Sequence, residues 1–218
     1  MSTPTPGASE RMMRAAQPKR LIVLRHGQTT HNAGGIWQGQ LDTELSPTGV
    51  EQAQKAAAAL ATRQPQLIWS SDLRRAAATA DALARTTGLD VQHDRRLREI
   101  NVGTWQGLSS QEVRERYGDE LDAIAVGQDM RRGETGETLG EVRDRMLEAT
   151  HELIQLLAPG ALGVISTHGA AGRALAAGLA GIDSQQAWLG LAGLHNCHWV
   201  ELVEGDHGWR IERWNAHA

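Results

Sequence analysis

Three short apolar runs punctuate the chain: Leu21-Ile22-Val23-Leu24, Leu67-Ile68-Trp69-Ser70 and Leu162-Gly163-Val164-Ile165-Ser166. They are too short for helices and do not alternate with polar residues, which predicts strands buried on both faces. Between them, apolar positions recur at helical spacing. Ser46-Pro47 opens a helix: serine caps free amides and proline suits the first helical position. Val50, Ala53, Ala57, Leu60 and Ala61 then share one face. Asp72 is placed to cap a second helix, with Leu73, Ala76, Ala77, Ala80, Leu83 and Ala84 inward and Gly88 at its end. A long helix is predicted from about Glu137 to Leu157, with Leu139, Val142, Met146, Ala149, Leu153 and Leu156 inward. Pro159-Gly160 breaks it. An alanine-rich helix follows Thr167-His168-Gly169 and runs to about Ala180.

The remaining segments carry weaker signals. Residues 89–108 read as irregular, with a short strand near Val91, and a helix follows near Ser109–Tyr117. Residues 118–136 are polar and aperiodic, which suits a loop or a short-helix insertion. Cys197–Val203 and Trp209–Trp214 read as paired strands around Gly205-Asp206-His207-Gly208. Alternating strands and helices predict one α/β domain, residues 19–218, with a mostly parallel sheet. Residues 1–18 are rich in Ser, Thr, Pro, Ala and Gly and read as a disordered tail without the apolar core of a signal peptide. Met12 or Met13 could serve as the start.

Composition narrows the function classes. The chain has 218 residues and a net charge of −4, so nothing global draws it to nucleic acid or an acidic membrane. No apolar run is long enough to span a bilayer. A single cysteine, Cys197, excludes an internal disulfide framework and fits a reducing, cytoplasmic compartment. Seven tryptophans stand beside no phenylalanine, a bias without a physical explanation here.

Four segments place polar residues at strand ends or helix starts. They are Arg25-His26-Gly27-Gln28-Thr29 with Asn32 beyond, Ser70-Ser71-Asp72-Leu73-Arg74-Arg75-Ala76, Leu97-Arg98-Glu99 through Gly107, and Thr167-His168-Gly169. In a parallel sheet such ends converge on one edge, where open α/β folds bind ligands. A cation and an imidazole there suggest an anion, phosphate above all, met by arginine and attacked by histidine.

These four ordered segments resemble the histidine phosphatase superfamily, which includes cofactor-dependent phosphoglycerate mutases and many small-molecule phosphatases. The resemblance implies a three-layer α/β/α sandwich. It implies that His26 is the nucleophile, that Arg25, Arg75 and His168 bind the phosphoryl oxygens, and that Glu99 protonates the leaving group. Asn32, Gln38 and Gly39 match positions lining the substrate pocket, and Gly169 opens a helix whose free amides suit an anion. No metal or other cofactor is expected, because arginines take the role Mg²⁺ has in kinases. The expected partner is a small phosphorylated metabolite; a homodimer, common in the family, is left open.

Arg98-Glu99-Ile100-Asn101-Val102-Gly103 departs from the mutases' Asn-Glu-Arg-His-Tyr-Gly and resembles the phosphatase branch. Gln38–Leu45, Arg63-Gln64-Pro65, Trp105-Gln106-Gly107-Leu108 and the tryptophan-bearing end resemble members acting on a glucosylated phosphoglycerate. A mutase and a non-catalytic binding protein are the alternatives.

Plainer readings stand beside several of these. Arg75 could pair with Asp72 or Asp81, Glu99 with Arg96 or Arg98, and His168 could cap carbonyls. His195-Asn196-Cys197-His198 invites zinc, but lacks a second ligand pair. Trp37 and Trp105 suit a pocket wall or a core. Gly133–Glu137 suits a lid or a surface loop. His31, His93, His151, His207 and His217 read as exposed or structural.

Overall fold

The computed structural model describes residues 17–218. Of the tail expected over 1–18, all but Gln17 and Pro18 lies outside the described residues. The first apolar run becomes β1 (Arg20–Arg25), whose Leu21, Ile22, Val23 and Leu24 are all fully buried. Each such side chain contributes about 1.5–3 kcal/mol when taken out of water. Burial on both faces puts β1 in the sheet interior, between β4 (Leu162–Thr167) and β5 (Trp199–Gly205). With β2 (Leu67–Ser70), β3 (Val91–His93) and β6 (Gly208–Ala216), the order is β3-β2-β4-β1-β5-β6. The first four run parallel, and β5 and β6 are added antiparallel.

Alternate residues of each strand feed two cores. Ile22, Leu24, Ile68 and Val164 face α2 (Pro47–Ala61) and α3 (Arg74–Thr87). Leu21, Val23, Trp69 and Ile165 face α6 (Leu139–Leu156) and α7 (Gly169–Leu179). The three-layer α/β/α sandwich follows from this division. The short helices α1 (Thr30–Ala33), α4 (Ser110–Arg116), α5 (Gly118–Ala125) and α8 (Ser184–Gly190) complete the chain order. No helix among the described residues is long and apolar enough to cross a membrane.

The pattern errs at three places. Val50 is 44% exposed, because the buried stripe of α2 is centred on Gly49, Ala53, Ala56, Ala57 and Leu60. A Cβ on Gly49 would stand 2.0 Å from the Gln28 carbonyl oxygen, so this helix face meets backbone and only glycine fits. Asp72 does not cap α3. Leu73 is the N-cap and makes no side-chain hydrogen bond, while Asp72 pairs with Arg98 at 2.6 Å. Leu156 is 62% exposed; the chain leaves helical geometry at Leu157, which turns into the core instead. The 118–136 segment contains one short helix, α5, and α8 had no clear signal in the sequence.

Candidate active site

Parallel register brings the chemistry together. Arg25 pairs with Thr167 and Ser70 with Ser166, so the residues that follow, His26, His168 and Ser71, leave three adjacent strands at one edge. The His26 and His168 rings meet edge to face with centroids 5.1 Å apart. A cavity of about 280 Å³ opens beside them, lined by Arg25, His26, Asn32, Gln38, Gly39, Arg75 and Glu99 among others.

His26 is almost fully buried, and its Nδ1 lies 2.6 Å from the Gly27 carbonyl oxygen. A carbonyl only accepts, so Nδ1 carries the proton and Nε2 keeps its lone pair. Arg75 Nε donates to that Nε2 at 3.3 Å. Burial first, then the charges of Arg75 and Arg25, hold the His26 imidazole well below its ordinary range. The turn is held from three sides. Thr79 Oγ1 accepts the Gly27 amide at 3.1 Å, Asn196 Nδ2 donates to the His26 carbonyl at 3.0 Å, and the Cys197 amide donates to the Arg25 carbonyl at 3.1 Å.

Arg75 pairs with neither Asp72 nor Asp81. It is buried, and donates to the Leu41 carbonyl at 2.6 Å and the Gly39 carbonyl at 2.8 Å. Burial pushes its guanidinium down to about 10. Arg25 donates through Nη1 to the Leu194 carbonyl, and its buried Nε has no partner among the described residues. Carbonyls orient both arginines without cancelling their charge. Arg74, by contrast, is exposed and pairs with Asp42 and Glu44.

His168 does not cap carbonyls. Ser71 Oγ accepts the Leu73 amide at 3.3 Å and lies 2.9 Å from His168 Nε2. With that bond made, the hydroxyl still has its proton and a second lone pair, so it can either donate to Nε2 or accept from it. The ring's Nδ1 is buried and unpartnered among the described residues. Burial, then Arg75, His26, Arg145 and Arg25, hold this imidazole well below its ordinary range too.

Glu99 bridges to neither Arg96 nor Arg98. Its carboxylate sits on the N-terminus of α7, accepting the amides of Gly169 at 3.0 Å, Ala170 at 3.2 Å and Ala171 at 2.9 Å. This corrects the expectation for Gly169: its amide is taken by Glu99 rather than left free for an anion. Asn32 caps α1 reciprocally with Thr29, through its Oδ1. Gln38 Oε1 accepts from Thr29 and Thr43 hydroxyls at 3.0 and 2.6 Å. Gly39 has φ +51, and a Cβ there would lie 2.7 Å from Val102 Cγ2.

The two tryptophans divide the readings between them. Trp37 lines the cavity, while Trp105 is fully buried and meets it edge to face at 5.1 Å. Gly133–Glu137 is neither a lid nor a free loop. Its glycines pack on the 101–103 backbone, and a Cβ on Gly133 would fall 2.2 Å from the Val102 carbonyl oxygen. His195, His198 and His217 stack in a row away from the cavity, with centroids 5.2 and 4.8 Å apart. His31, read as exposed or structural, lines the cavity mouth. Ser71 and Asn196 were missed as site residues, although both stand inside segments that held the motifs.

The pattern of the histidine phosphatase superfamily (branch 1) matches residues 21–217, and the chain belongs to that superfamily. Particular relatives are close. A glucosyl-3-phosphoglycerate phosphatase of Mycolicibacterium vanbaalenii is 43% identical, over 92% of this chain and 96% of its own. One of Mycobacterium tuberculosis is 39% identical over the same shares. The solved structure of a mycobacterial glucosyl-3-phosphoglycerate phosphatase with VO3 matches with a TM-score of 0.84 at 40% identity, over 90% of this chain and 98% of that one.

Proposed function

We propose that the chain is a phosphomonoesterase that hydrolyses glucosyl-3-phosphoglycerate in the cytoplasm, through a phosphohistidine on His26 and without a metal ion. The observation that carries the reaction is the state of His26: neutral, with Nε2 unprotonated and two arginines beside it. In the first step Nε2 attacks phosphorus, the ester P–O bond breaks, and Glu99 gives its proton to the departing alkoxide oxygen. In the second, water attacks phosphorus, its proton passes to Glu99, and the P–N bond breaks. Arg25, Arg75 and His168 face charge that spreads over three phosphoryl oxygens in the transition state. Both Glu99 oxygens hold α7 amides, so proton delivery requires the carboxyl to turn from at least one. The glucosyl ester as substrate rests on the activity for which the relatives are named.

The test is phosphate release, in excess EDTA, from glucosyl-3-phosphoglycerate, 3-phosphoglycerate and p-nitrophenyl phosphate, with a mutase assay alongside. Strong preference for the glucosyl ester and full activity in EDTA are expected. Even activity across the three esters removes the substrate assignment. Phosphoglycerate interconversion with little phosphate release makes the chain a mutase. His26→Ala is expected to abolish turnover and leave the fold intact; unchanged release by that variant removes His26 as nucleophile.

A further inference from the structure

Arg145, on α6, does not line the catalytic cavity, yet all five of its N–H donors are engaged, three of them on the segment that carries Glu99. Nη1 donates to the carbonyls of Arg96 and Arg98, each at 2.7 Å. Nη2 donates to the Glu99 carbonyl at 3.0 Å and to Glu137 Oε2 at 2.9 Å, and Nε donates to Glu137 Oε1 at 2.8 Å. Glu137 extends the grip: Oε2 also accepts the Asn101 amide at 2.8 Å, and its own amide donates to the Asn101 carbonyl at 2.8 Å. The pair thus holds backbone groups of residues 96, 98, 99 and 101, on both sides of Glu99.

That segment has little regular structure of its own, only a 3₁₀ turn at Arg95–Leu97 before Glu99 and another at Gly103–Trp105 after it. A carboxyl on such a loop would wander by the ångström that costs proton transfer its geometry. We propose that Arg145, locked by Glu137, is a positioning residue for the acid–base step. It fixes the Glu99 backbone, so that only the carboxyl moves between the α7 amides and the leaving oxygen. The inference rests on the reading of Glu99 as the acid. The planar fork matters: lysine, with one ammonium, cannot serve carbonyls and a bidentate carboxylate together.

The experiment compares wild type, Glu99→Gln, Arg145→Met and the double variant on glucosyl-3-phosphoglycerate, the alkyl ester, and on p-nitrophenyl phosphate, whose leaving group needs little protonation. Arg145→Met is expected to lose on the order of 10²-fold in kcat/KM, which reports the steps up to departure of the alcohol and not the hydrolysis of phosphohistidine common to both esters, on the alkyl ester and less than about threefold on the aryl ester. Added to Glu99→Gln it should cost little more, because both act on one step. Equal losses on both esters, or a full further loss in the double variant, overturn the proposal and leave Arg145 a general structural residue. If Glu99→Gln itself loses equally on both esters, the acid reading falls and the positioning role with it. Glu137→Gln keeps the shape of the pair and loosens the fork. It should show the same selectivity, more weakly, and decides the matter alone if Arg145→Met does not fold.

Discussion

Ser71 shows how much a single hydroxyl can settle. It is the one hydrogen-bond partner of the His168 ring among the described residues, 2.9 Å from Nε2, so the bond it makes there decides which ring nitrogen carries the proton. Ser71→Ala is therefore expected to release the tautomer, lowering kcat by roughly tenfold to a hundredfold. The ¹⁵N shifts of His168 report directly on which nitrogen is protonated; shifts identical to wild type would mean that Ser71 does not set the tautomer. At this scale the clustering of the proposed site residues was legible in the sequence, since Arg25, His26, Arg75, Glu99 and His168 all come to one place. Their partners were not. Nothing local distinguishes Asn196 or Ser71 from any polar residue at a strand end, because each acts across more than 95 positions of chain. Glu99 was read for its acid and not for the helix that its carboxylate caps.

The helices and strands of the core followed from periodicity, because burial on one stripe or on both faces is written in the side chains. Contacts made by backbone leave no such trace. Gly49 is the clearest case: it looked like an ordinary residue in a helix, and instead sets the distance between α2 and the turn after His26. Gly49→Ala would force the α2 backbone and the Gln28 carbonyl apart, an overpacking that costs about 1–3 kcal/mol. It should also disturb Gly27, whose own Cβ would fall 2.4 Å from the Gly49 carbonyl oxygen. Urea unfolding and kcat measured together are expected to fall together. A stable variant of normal activity would mean that the two segments separate freely. The 133–136 junction was obscure for the same reason, since glycines packed on carbonyls read like a surface loop.

Over the whole molecule, the two buried imidazoles link stability to pH. His26 and His168 are both held below their ordinary range, so the unfolded chain binds protons that the folded one refuses. Their contribution is complete above about pH 6.5, the unfolded value, and is lost as pH falls from there toward the folded values. Each histidine adds a slope of up to about 1.4 kcal/mol per pH unit in that window, before carboxylates begin to titrate. The urea midpoint should drop between about pH 7.5 and 5.5, and less steeply in His168→Phe. A flat midpoint would mean that both rings accept protons within the fold. The α/β class and the mostly parallel sheet were legible from the alternation of elements, while the place of each short outer helix depended on contacts with distant parts of the chain.

Arg25 and Arg75 are tethered by carbonyl oxygens, with no carboxylate in hydrogen-bond contact among the described residues. Such an anchor does not distinguish an ester from the inorganic anion that hydrolysis leaves behind. Turnover then ends in a site still attractive to its own product. Departure of that anion competes with arrival of the next substrate, and catalytic throughput should fall as free phosphate accumulates around the protein.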